Sequence, residues 1–176
     1  PERWLTEGAR VMTTTYPIKA PIYAITKATN YLPNVLMQME AKEAGFDNGV
    51  FIDADGHVGE SSNMNVAFVT RDGVLAHPKF DRVLAGCTSL RLLELAGVLR
   101  DQGLLGGIEV RDIPVAEARA SREMLLLGSS VRVVPIVQWD EQVIGDGKPG
   151  PISRALRRLL DEDMRESDRL IDVPYA

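Results

Sequence analysis

The 176-residue chain is 45% hydrophobic and 26% charged, the composition of an ordinary globular protein able to bury a sizeable core. A net charge of −5 argues against a phosphate-backbone binder, and the apolar runs, such as residues 124–127, are far too short to cross a bilayer. The single cysteine, Cys87, excludes an internal disulfide, and two histidines, His57 and His77, argue against an all-protein zinc site.

The chain opens at Pro1 without a signal-peptide pattern, and residues 1–15 read as mid-chain material, so a longer protein is expected. Residues 13–26, broken by Pro17 and Pro21 and rich in β-branched side chains, suit extended edge structure. A helix is predicted from about Tyr31, with Asn30 as N-cap, Pro33 in the first turn and Gly45 as the stop. Leu32, Val35, Leu36 and Met39 follow the i, i+3, i+4, i+7 rule and form its predicted inner face. Residues 49–53 and 57–60 flank Asp55-Gly56, a strong hairpin signal, and residues 65–70 and 74–76 flank a second turn at Asp72-Gly73.

After Gly86 a second helix should bury Leu92, Leu95, Ala96 and Leu99. A strand is expected over 108–113, a short helix over 115–120, and buried strands over 124–127 and 132–138. Residues 151–164 form a third predicted helix, with Ile152, Leu156, Leu159 and Leu160 facing inward. Its Arg154, Arg157 and Arg158 are followed by Asp161, Glu162 and Asp163, which makes a solvated face rather than a nucleic-acid patch. No repeat or linker divides the chain, and runs of antiparallel strands broken by helices point to the α+β class with the sheet curled toward a barrel.

Four segments carry groups with chemical potential. Lys27 precedes the first helix; such a lysine is usually a solvated surface residue, yet a desolvated one can condense with an aldehyde cofactor. Glu60 leaves the first hairpin, either as an exposed strand-end acid or as a carboxylate that keeps a pyridine nitrogen protonated. Gly86-Cys87-Thr88 opens the second helix, where backbone N–H groups and a hydroxyl could hold a phosphate, or where Thr88 could simply cap the helix. Cys87 has no histidine partner nearby in sequence and reads as a small buried residue. Gly128-Ser129-Ser130 breaks two apolar strands and suits either an anion nest or an ordinary connection.

Read together, these segments resemble the class IV (fold type IV) aminotransferases in order and spacing across residues 16–164. Lys27-Ala28-Thr29-Asn30-Tyr31-Leu32 is similar to that family's Lys-x-x-Asn-(Tyr/Leu)-Leu, and Glu40-Ala41 with Gly45 to its Glu-Ala-x-x-x-Gly. Val58-Gly59-Glu60 with Asn65, Gly86-Cys87-Thr88, Gly128-Ser129-Ser130 with Pro135, and Gly145 to Ile152 resemble the elements that follow. Residues 30–36, 63–69 and 138–141 look like the plant and algal D-amino-acid transaminase-like branch, which is also linked to 4-amino-4-deoxychorismate lyase activity.

The resemblance implies a D-amino-acid aminotransferase-like pseudo-barrel spanning residues 1–176 as one C-terminal, cofactor-binding domain, without the family's N-terminal α/β domain. Residues 1–25 would be a lead-in strand and interdomain segment. It implies pyridoxal 5′-phosphate (PLP) as cofactor, held by Lys27, Tyr31, Glu60, Cys87, Thr88 and Ser129. Lys27 would form the internal aldimine and shuttle the α-proton, Glu60 would pair with the pyridinium and Tyr31 with the ring hydroxyl. Cys87, Thr88 and Ser129 would take the phosphate, and Ser129 and Ser130 would face the substrate carboxylate. The implied reaction moves an amino group between an amino acid and a 2-oxo acid; a pyruvate-releasing lyase and a catalytically silent subunit are the alternatives. A homodimer, and a plastid location in a plant or alga, follow from the same resemblance.

Overall fold

The computed structural model describes residues 2–174. In chain order the elements are α1 (Arg3–Thr6), β1 (Ala9–Thr13), α2 (Pro21–Ala24), α3 (Leu32–Glu43), β2 (Asn48–Ile52), β3 (Val58–Ser61), β4 (Asn65–Val69) and β5 (Val74–His77). They continue with α4 (Cys87–Asp101), β6 (Gly107–Val110), α5 (Val115–Arg119), β7 (Glu123–Gly128), β8 (Arg132–Trp139), β9 (Gln142–Val143) and α6 (Pro151–Glu166). Among the described residues the strands form one nine-stranded sheet in the order β3-β2-β1-β8-β7-β4-β5-β6, with β9 on β8. No helix among them is long and apolar enough to cross a membrane.

Side chains that alternate along each strand serve two separate cores. Val66 and Phe68 of β4, Met124 and Leu126 of β7, and Val134 and Ile136 of β8 join Val11, Val50 and Trp139 in an inner cluster. Ala67, Val69, Leu125, Leu127 and Val133 point the other way, against Leu92, Ala96 and Leu99 of α4 and Ile152, Leu156 and Leu160 of α6. Full burial of such a side chain is worth about 1.5–3 kcal/mol, so both faces have to be covered. Helices cover the outer face; curling of the sheet covers most of the inner one. The curl brings β3 to the segment after β6, where Val58 N donates to Ile113 O at 2.9 Å and Val115 N to Gly56 O at 3.1 Å. The result is an α+β half-barrel, as the sequence pattern indicates.

Four expectations need correction. Residues 13–26 do not form an edge strand: only Thr13 is in a strand, at the end of β1, which lies inside the sheet parallel to both β2 and β8. Residues 14–20 belong to no helix or strand, and Pro21–Ala24 forms a helical turn with Pro21 at its start. β5 and β6 also pair in parallel, so the sheet is mixed rather than antiparallel. Helix α3 starts after Tyr31 rather than Asn30, and its predicted inner face is largely outside. Leu32, Val35 and Met39 are 63%, 46% and 52% exposed. The buried face carries Asn34, Met37 and Ala41, flanked by half-buried Gln38. Asn34 Nδ2 donates to Ser62 O at 2.6 Å and Gln38 Nε2 to Asp47 O at 3.0 Å, so the inner face is polar because it must satisfy backbone carbonyls. A β-carbon on Gly49 would collide with Met37, which is why glycine stands where α3 crosses β2.

The C-terminal helix is fixed by an acid from the sheet. Glu123, the first residue of β7, is buried, and its two oxygens accept the N–H groups of Ile152 and Ser153 at 2.8 Å each. That is a carboxylate on the free donors of a helix N-terminus, where the helix dipole also favours negative charge. Gly150 is required there because a β-carbon would strike the Glu123 carboxylate. Glu123→Gln is therefore expected to lower stability by about 1–2 kcal/mol, read as a lower urea midpoint with an unchanged slope.

Candidate functional site

One rim of the half-barrel gathers the exit of β3, the start of β4 and the turn between β7 and β8. Asn65 pairs with Leu127 across β4 and β7, which places the β3–β4 loop beside Gly128 and Ser129. The chain between β5 and α4 returns to the same rim, where Leu84 N donates to Glu60 Oε2 at 3.2 Å. Helix α4 starts at Cys87 with Gly86 as N-cap and no side-chain cap. Thr88 therefore lies inside the helix and does not cap it. The first-turn N–H groups, including those of Cys87 and Thr88, have no intrahelical acceptor and favour an anion.

These elements enclose a cavity of about 400 Å³. Lys27, Tyr31, Glu60, Cys87, Thr88 and Ser129 all line it. Ser130 instead lines an adjoining cavity of about 550 Å³, which shares Tyr31, Asn34 and the 62–64 loop with the first. Cys87 is exposed rather than buried, which corrects the sequence reading; it stands at the mouth of the helix. Lys27 is exposed too, on the segment between α2 and α3.

Glu60 is 7% exposed and sets the electrostatics of the cavity. Desolvation raises its pKa to about 7, against the pull of the Leu84 N–H and of the Lys19 and Lys27 charges. Burial and then the Glu60 charge push the Tyr31 phenol up. Lys19 Nζ sits 5.7 Å from the Tyr31 ring centre, a second cation on the cavity wall. The polar run after Glu60 holds its loop in place, since Ser61 Oγ donates to Gly49 O at 2.7 Å and the Ser62 carbonyl accepts from Asn34.

A sequence profile of the amino-transferase class IV family matches residues 8–139. The chain belongs to that family. It is 47% identical over 171 residues to the chloroplastic D-amino-acid transaminase of Arabidopsis thaliana, covering 96% of this chain and 46% of the relative. The branched-chain-amino-acid aminotransferase of Escherichia coli K12 is 28% identical over 162 residues, covering 89% of this chain and 50% of the relative. Among solved structures, the branched-chain amino acid aminotransferase of Thermobaculum terrenum in its PLP-bound holo-form matches with a TM-score of 0.81 at 27% identity, over 91% of this chain and 52% of that one. The class IV chain thus spans about half the length of these relatives.

Sequence reasoning gave no role to Lys19, Leu84 or Asn65. Lys19 and Leu84 act on Glu60 from a Pro-broken segment and a loop, neither of which has a periodic signal. Asn65 reads in the sequence only as part of the family pattern. A second cluster, Asp53, Asp55 and His57, lies at the β2–β3 turn with ligand atoms within 4.8 Å of one another. Arg82 already bonds both of its carboxylates, at 2.6 and 3.2 Å.

A buried acid with a raised pKa weakens the fold as it ionises. Its contribution is fully present below the unfolded value of 4.5 and is lost as pH rises through about 7. Glu60→Gln should therefore stabilise the cofactor-free protein by about 2–3 kcal/mol above pH 7 and leave it near the parent at pH 4.5. His77, fully buried with its pKa lowered to about 4 by desolvation, tilts stability the opposite way as pH falls below 6.5. The test is thus the difference between variant and parent unfolding curves across pH 4–9.

Proposed function

We propose that this chain is the C-terminal, cofactor-carrying portion of a PLP-dependent aminotransferase that moves an amino group between an amino acid and a 2-oxo acid. The observation that carries the reading is the convergence of Lys27, Tyr31, Glu60, Thr88 and Ser129 on one cavity at the start of α4. The donor set fits PLP at each of its polar ends. The unpaired N–H groups of α4 with the Thr88 and Ser129 hydroxyls fit a phosphate, and the Glu60 carboxylate fits a protonated ring nitrogen. When bound, PLP supplies the electron sink for the substrate's α-carbon.

The chain's own groups do the rest. Lys27 Nζ is the amine that anchors the cofactor carbonyl and afterwards takes and returns the proton at the substrate α-carbon. Glu60, ionised opposite a ring cation, holds the proton on the pyridine nitrogen; burial makes that pairing stronger than it would be in water. Tyr31 borders both cavities and would hydrogen-bond the ring hydroxyl. The N–H groups of Ser129 and Ser130 receive the substrate carboxylate. D-amino acids as substrates, and a plastid location in a plant, are supported by the 47%-identical chloroplastic relative. For a homodimer, α2 and α3 offer exposed apolar side chains: Ile22, Tyr23, Leu32, Val35 and Met39 are each at least 46% exposed.

Borohydride reduction of the PLP-loaded full-length protein, followed by peptide mapping, should place a pyridoxyl label on Lys27. Lys27→Ala should lose the label and about 10²–10⁴-fold of D-alanine:2-oxoglutarate amino transfer. Absence of label overturns the enzyme reading in favour of a silent subunit. Pyruvate release from 4-amino-4-deoxychorismate without a 2-oxo acid acceptor would replace transfer by the lyase.

A further inference from the structure

We propose that Asn65 is a positioning residue that aims Glu60 into the cavity, with its amide held in one orientation by Leu84 and Ser89. The inference rests on the reading of Glu60 as the partner of a cofactor ring nitrogen. Both donors that reach the Glu60 side chain land on the same oxygen: Leu84 N at 3.2 Å and Asn65 Nδ2 at 3.3 Å, each to Oε2. Among the described residues no hydrogen-bond donor reaches Oε1. One oxygen is tied down, and the other is left for whatever enters the cavity.

The orientation of the Asn65 amide follows from its other neighbours. Nδ2 also donates to Leu84 O at 2.9 Å, and a carbonyl can only accept, so the NH₂ group must face that side. Oδ1 then faces α4, where it accepts the Ser89 hydroxyl at 3.0 Å. A flipped amide would set its oxygen against both a carbonyl and a carboxylate. Asn65 is 5% exposed and Ser89 is fully buried, so water cannot take over either bond cheaply. Gly86 completes the arrangement, because a β-carbon there would collide with Asn65 Oδ1.

A single amide therefore ties β3, the loop at Leu84 and the first turn of α4 together. Those elements carry the acid at one end of the cavity and the phosphate-type N–H groups at the other, so Asn65 fixes their separation. An N–H donor on a carboxylate oxygen, as Asn65 Nδ2 is on Glu60 Oε2, favours the ionised form. Asn65→Asp keeps the shape but replaces that donor with a second carboxylate.

The test uses the full-length protein with PLP as the probe. In the cofactor-free form, ¹³C NMR of labelled glutamate should show Glu60 titrating at least about one pH unit higher in Asn65→Asp and less displaced in Ser89→Ala. PLP affinity of Asn65→Asp should fall about tenfold, with the pH profile of cofactor absorbance shifted alike, and the fall should vanish when Asn65→Asp is added to Glu60→Gln. An unmoved Glu60 titration, or a tenfold loss that persists in the Glu60→Gln background, would show that Asn65 is merely a structural tie. If Glu60→Gln alone binds PLP with the parent's affinity and absorbance while the titration shift remains, Glu60 does not pair with the ring and the aiming role falls with it. Should Asn65→Asp fail to fold, Ser89→Ala decides by the same two readouts.

Discussion

The sheet has an apolar face that α4 and α6 do not reach, and that face has to leave water all the same. Val11, Val50, Val66, Phe68, Met124, Leu126 and Trp139 manage this by facing one another across a curled sheet. The curl decides the strand order and brings Val58 against Ile113. It also produces a rim. Strands packed side by side in a flat layer would leave Glu60, Asn65 and Leu127 along a line; the curl turns the line into the wall of a cavity.

At that rim, groups of different character meet over a short distance. A buried carboxylate lies within the field of two lysines, and the start of a 15-residue helix offers free N–H groups from the other side. In the free state desolvation outweighs the two lysines and raises the acid's pKa to about 7. A cationic ring nitrogen would reverse that balance, so the site is unfavourable for an ionised Glu60 alone and favourable for the pair. The fold carries this cost in the free state, in the manner of sites built for a charged ligand.

The elements read from turns and caps were the most legible part of the sequence. Asp55-Gly56 and Asp72-Gly73 do sit in their hairpins, with Gly56 and Gly73 at φ of +79° and +80°. Gly45 ends α3, with Phe46 N bonded to Ala41 O at 2.8 Å. Beyond their first turns, where Ser89 and Ser153 serve polar partners, the inner faces of α4 and α6 follow their periodicity, since Leu92, Ala96 and Leu99 and Leu156 and Leu160 only pack against apolar neighbours. Periodicity misled at α3, where Asn34 and Gln38 face inward to serve carbonyls of distant segments. The interior placement of β1 was hidden for a related reason: its partners lie 37 and 128 residues away, as in Val11↔Asn48 and Val11↔Trp139. Lys27, Tyr31, Glu60, Cys87, Thr88 and Ser129 were found through family pattern, while the contacts of Lys19 with the cavity and of Glu123 with α6 join groups that the linear sequence keeps apart.

The placement of β1 also has a consequence for how the protein is made. Thr13 bonds the Asp140 carboxylate through N and Oγ1 at 2.7 and 2.8 Å, and Trp139 Nε1 donates to Thr13 Oγ1 at 3.0 Å. During synthesis β1 leaves the ribosome well over a hundred residues ahead of β8, so one of its two edges has no partner until β8 has been added. Until then that edge is open to pairing with other chains. Ser129 arrives in the same late stretch, so the barrel closes and the last wall of the cavity is set in one step. High-contact-order closure of this kind is slow, and a nascent chain halted before β8 would hold Lys27, Glu60 and Thr88 without a site to put them in.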